Sequence, residues 1–130
     1  MTSSRRPFAL FLFLTLFVVF GCAEHVPKEP AMNTGTVIHQ PIDTVRTAAR
    51  NALTKLKFAI TKENDQYIEA VHLKPGETVE KNRSELVGIW FKQREDAVVV
   101  LIDTEKRASG IATQRVWDED ITREILRELP

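Results

Sequence analysis

Leu86-Val87-Gly88-Ile89-Trp90-Phe91-Lys92-Gln93, the turn Arg94-Glu95-Asp96, and then Ala97-Val98-Val99-Val100-Leu101-Ile102-Asp103 decide the fold. Two runs rich in β-branched and aromatic residues, parted by three charged residues, read as adjoining antiparallel strands. In the first run Val87, Ile89 and Phe91 share one face, and Leu86, Gly88 and Trp90 share the other. The second run is apolar on both faces, which predicts a central strand. Upstream, Phe58-Ala59-Ile60-Thr61-Lys62 and Tyr67 to Leu73 form a hairpin about the turn residues Glu63-Asn64-Asp65-Gln66. Lys74 to Ser84, with Pro75-Gly76 and many charges, reads as an exposed loop between hairpin and third strand.

Helices bracket these strands. Ile42, Val45, Ala49, Ala52, Leu53 and Leu56 recur at steps of three and four, an apolar stripe on a helix from Pro41 to Lys57. Pro41 suits a helix start, and the alanines at 48, 49 and 52 permit close approach. After a polar loop from Thr104 to Gln114, Trp117, Ile121, Ile125 and Leu129 step by four on a second helix, Val116 to Leu129. Asp118, Glu119 and Asp120 in its first turn complement the helix dipole. Thr36-Val37-Ile38 is either a short first strand or an extended entry. The expected fold is α+β: helix, four-stranded antiparallel sheet, helix, in a two-layer sandwich with both helices on one face, over a single domain at 36–130. The α-β-β-β-β-α order resembles small bacterial envelope lipoproteins. More loosely, residues 41–130 are similar in pattern to the domains of the BamC-type accessory lipoprotein of outer-membrane assembly.

At the other end of the chain, Phe8 to Phe20 is Ala, Leu, Phe or Val throughout save Thr15, preceded by Arg5 and Arg6. A basic n-region and a short apolar h-region mark a secretory signal, and the run is too short for a spanning helix of roughly 20 residues. It ends in Val19-Phe20-Gly21-Cys22, which resembles the lipobox of bacterial lipoproteins, with Phe20 where a smaller residue is usual. The resemblance implies diacylglycerol on the Cys22 thiol and cleavage before it, so residues 1–21 are a signal peptide. Ser4-Arg5-Arg6-Pro7-Phe8 also matches the twin-arginine core, although so apolar an h-region favours general secretion. By resemblance to enterobacterial lipoprotein sorting, in which an aspartate after the cysteine retains a protein in the inner membrane, Ala23 implies an outer-membrane site facing the periplasm in a diderm host. Residues 22–35 form the lipidated cysteine and a tether. With two prolines and no apolar period from Ala23 to Gly35, the tether is expected to be extended and mobile.

Removal of residues 1–21, with their two arginines and no acids, leaves 109 residues carrying 16 basic and 18 acidic side chains. That balance lacks the basic footprint of a nucleic-acid binder. With its only cysteine lipidated, the fold has no disulfide to staple it.

Chemistry is sparse. The histidines at 25, 39 and 72 show no metal-ligand spacing, and there is no nucleophile elbow, phosphate loop or paired-cysteine motif. His72 reads as a half-buried structural residue. Asp118-Glu119-Asp120 could offer oxygen ligands, but successive helical residues point apart. No catalytic residue, metal or cofactor is assigned. The expected function is a lipid-anchored, non-enzymatic cell-envelope protein. Its second sheet face, with Tyr67, Leu86 and Trp90 as anchors, would meet an envelope protein partner or a second copy, because apolar patches mark interaction sites. The alternative is a module for a small apolar ligand or lipid, in a cavity lined by Phe58, Ile60 and Trp117.

Overall fold

The computed structural model describes residues 26–80, 85–106 and 115–130. The lipobox at Val19–Cys22, His25, and parts of both predicted loops (81–84 and 107–114) lie outside them. The elements are β1 (Thr36–Ile38), α1 (Ile42–Lys55), β2 (Phe58–Asn64), β3 (Tyr67–His72), β4 (Glu85–Arg94), β5 (Ala97–Lys106) and α2 (Asp118–Glu128), with a 3-10 turn at Met32–Thr34. The strands form one antiparallel sheet in the order β1-β5-β4-β3-β2. The protein is thus α+β, with two helices and five strands where the sequence predicts four. The added strand is Thr36-Val37-Ile38, which pairs with Val100, Val99 and Val98. Three residues are too few to display a period, so only the pairing with β5 makes them a strand. The centre of the sheet is β4, with β5 beside it.

One core holds both helices to one sheet face. From α1 it takes Val45, Ala48, Ala49, Ala52 and Leu53, and from α2 Ile121 and Ile125. The sheet contributes Ile68, Ala70, Val87, Ile89, Phe91, Val98 and Val100. Three fully buried alanines bring α1 close to its neighbours, as their spacing predicts. Ion pairs join the outer surfaces: Arg46 and Arg50 of α1 meet Glu63 of β2, and Lys55 meets Glu124 and Glu128 of α2. The Arg50 guanidinium holds the Glu63 carboxyl below its ordinary value.

The second face reads off the register in rows. Tyr67, Trp90 and Leu101 stand side by side, then Glu69, Gly88 and Asp103, then Val71, Leu86 and Glu105. In β2 the register shifts between Ile60 and Lys62. Such a bulge adds one residue to one strand, and it sets Lys62 opposite Glu69 on this second face.

Candidate binding surfaces

Of the three anchors predicted on the second face, Leu86 is 2% exposed, while Tyr67 and Trp90 are half-buried with ring centroids 5.0 Å apart. Glu69 is 7% exposed, an unusual depth for a carboxylate. The Tyr67 hydroxyl donates to its Oε2 at 2.8 Å, and Lys62 Nζ lies 3.9 Å from Oε1. Burial, reinforced by Glu69, pushes the Tyr67 hydroxyl well above the ordinary tyrosine value.

Part of the predicted tether lies on this face. Pro27 is buried over Gly88, where an added Cβ would stand 2.7 Å from Pro27 Cβ and 2.7 Å from the Trp90 ring. The Lys28 amide donates to Asp103 Oδ2 at 2.8 Å, and Glu29 Oε1 sits 2.8 Å from Lys92 Nζ. The chain therefore crosses from β4 over β5 as a strap rather than hanging free from the domain. At Gly35 it again comes so close that a Cβ would meet Leu101 Cδ2 at 2.7 Å. Composition predicts a linker here because proline and charge offer no apolar period. What orders the strap is a slot that a glycine on another element leaves open.

Where the chain rounds the sheet edge it helps enclose a groove of about 690 Å3 between β5, β1 and the start of α2. Val100 and Ile102 line it together with Leu126, 49% exposed, and Pro30, Thr34 and Thr36 line it from the N-terminal side. Asp103, Asp118, Glu119, Thr122 and Arg123 complete the lining. Thr104 ties β5 to α2, donating from its hydroxyl to Asp118 Oδ1 at 2.6 Å and accepting from the Trp117 amide at 3.0 Å. Burial, and then the nearby Asp103 charge, raise the Asp118 carboxyl above its ordinary value despite the Thr104 bond. Beside the groove β5 has an outer strand partner over part of its length: among the described residues β1 pairs with Val98–Val100 of this ten-residue strand. Beyond Val100 no strand among the described residues lies on that edge.

No family model matches the chain, and no curated protein matches it either. The local chemistry must stand by itself.

The residues predicted to line a ligand cavity do something else. Phe58 and Trp117 are buried and meet edge to face with centroids 5.2 Å apart, while Ile60 is exposed. The His72 ring lies 5.1 Å from Phe58 and 4.5 Å from Trp117. Its Nδ1 is 2.9 Å from Glu85 Oε2, which also accepts from Trp117 Nε1 at 3.2 Å. These rings fill one another's space, and His72 packs as the structural residue its strand position suggests. The α2 carboxylates diverge as expected: Asp118 turns to Thr104, Asp120 to Arg115 and Arg123, and Glu119 is exposed. Among the described residues no group of three or more His, Cys, Asp or Glu side chains could hold a metal ion, and no helix is long and apolar enough to cross a membrane. The groove residues Asp103, Asp118 and Leu126 escape a linear reading. Asp103 lies on β5 and Asp118 and Leu126 on α2, so only the packing of the two elements brings them to one groove.

Proposed function

We propose that this chain is a lipid-anchored, non-enzymatic cell-envelope protein that binds an extended segment of a protein partner along the open edge of β5. The observation that carries this reading is the groove beside an edge strand whose outer partner covers three of its ten residues. An added strand would take main-chain hydrogen bonds from β5, and alternate side chains would enter the groove, the usual division of affinity and specificity in strand addition. Val100, Ile102 and Leu126 suit apolar side chains, while Asp103, Asp118 and Glu119 against the single Arg123 suit a basic one. The lipobox-like Val19-Phe20-Gly21-Cys22 supports the anchor, and the likeness to outer-membrane assembly lipoproteins agrees with a partner in the envelope. As an interface with a folded protein or a second copy, the second sheet face, with Tyr67, Leu86 and Trp90, is less favoured because the strap already occupies its middle.

A photocrosslinking side chain in place of Leu126 should give an envelope protein adduct in intact cells, and one at the outward-facing Asn51 should not. Reversing Asp118 and Glu119 to lysine should abolish the adduct. Equal labelling from both positions, or an adduct indifferent to the reversal, would remove the groove from the reading. A second reading is a small apolar or lipid ligand, favoured by a groove volume within the range of small-molecule sites, roughly 300–1,000 Å3. It predicts that organic extraction of the purified protein yields a bound small molecule and that Leu126 gives no protein adduct.

A further inference from the structure

The strap fixes where the N-terminal chain meets the domain. Pro27 is seated over Gly88 on the central strand, and the contacts of Lys28 with Asp103 and of Glu29 with Lys92 lock the chain onward to the sheet edge. Between Cys22 and Pro27 there are only five residue steps. Fully extended they span at most about 17 Å, whereas thirteen residues of free, polyproline-like tether would give roughly 40 Å. The leash leaves the domain at the middle of the second face. To turn the helices toward the bilayer, the chain would first run about 10 Å sideways, past two strand spacings. It would then have to pass a helix layer about 10 Å thick in addition to the sheet itself. The leash is too short for that path.

The geometry points to the lipid headgroup layer as the partner of the second sheet face, an inference that rests on the lipid anchor at Cys22. The face is suited to that layer. Trp90, half-buried, is an amphipathic ring of the kind that settles at headgroup depth, and Val37, opposite Val99 on this face, is exposed at 55%. Lys28, Lys62, Lys92 and Arg94 are matched in number by Glu29, Glu69, Asp103 and Glu105, so the contact does not require anionic lipid.

The test uses the lipidated full chain in phosphatidylcholine liposomes. Because Cys22 is the only cysteine, Val37→Cys and Asn51→Cys each carry a single free thiol for a donor dye, on the second face and on the outer side of α1 respectively. With acceptor dye on the headgroups, transfer from position 37 should exceed that from position 51. Inserting ten Gly/Ser residues between Cys22 and Val26 should bring the two together. Equal transfer without the insertion, in protein that floats with the liposomes, would overturn the orientation and leave the anchor standing. If Cys22→Ser floats as the unaltered chain does, the anchor reading falls and the inference with it.

Discussion

Tyr67 is the only tyrosine, and its hydroxyl is committed to the buried Glu69. Burial and that neighbour raise its titration in the folded protein. A raised folded value means the native state keeps a proton that the unfolded chain gives up near pH 10. The resulting stabilisation is complete below that pH and is lost as pH rises through the folded value. Ultraviolet titration of tyrosinate reads this one residue. Its onset should lie above the ordinary tyrosine range while the protein stays folded, and Glu69→Gln should move it down. An ordinary titration in the native protein would mean that the hydroxyl is not held by Glu69. Nothing in Tyr67-Ile68-Glu69 foretells the pair beyond strand alternation, which places 67 and 69 on one face. The depth of Glu69 depends on what crosses that face.

At the scale of elements, the strap and β4 are fitted to each other at one position. Gly88→Ala puts a carbon 2.7 Å from both Pro27 and the Trp90 ring, so one of them must move. Overpacking of this kind costs about 1–3 kcal/mol. The loss should appear as a lower denaturation midpoint together with a changed Trp emission. Deleting residues 26–30 removes one of the two clashing groups, so Gly88→Ala should cost less in the deleted chain than in the full one. Additive losses would show the strap and Gly88 to be independent. Element boundaries were mostly legible. Both amphipathic helices, the hairpin and the β4–β5 pair follow from period and turn residues, because each buries one face against a single common core. β1 and the strap were not legible, because each is ordered by a partner far along the chain: β5 for one, Gly88 for the other.

For the whole molecule, the join between the two layers at the groove should register in the pH dependence of stability. Burial raises the Asp118 carboxyl, so the native state binds its proton more tightly than the unfolded chain does. The penalty for ionising it is absent below the ordinary aspartate value near pH 4 and grows as pH rises through the folded value. Glu63, lowered by Arg50, acts in the opposite sense. Its stabilisation is present above the ordinary glutamate value and fades as pH falls through the folded one. Asp118→Asn keeps an acceptor for Thr104 and removes the charge. Denaturant midpoints across the weakly acidic range should therefore rise more steeply with pH in Asp118→Asn than in the unaltered chain. Identical slopes would mean that Asp118 is as well solvated as in the unfolded state.

The sequence by itself determined the α+β class, both helices, four of the strands and the face of β4 that enters the core. These depend on periods of 3.6 and 2 that any short window of the chain displays. It also supplied the signal-like run ending at Cys22, from which the anchor is proposed. Only the tertiary structure decided the fifth strand, the strap over Gly88, the depth of Glu69 and the groove that joins Asp103 to Asp118. Each of these is a meeting of residues distant in sequence, and the free energy that fixes it comes from packing or hydrogen bonding across the fold. No local pattern carries that information, because neither partner shows its role until the other is in place.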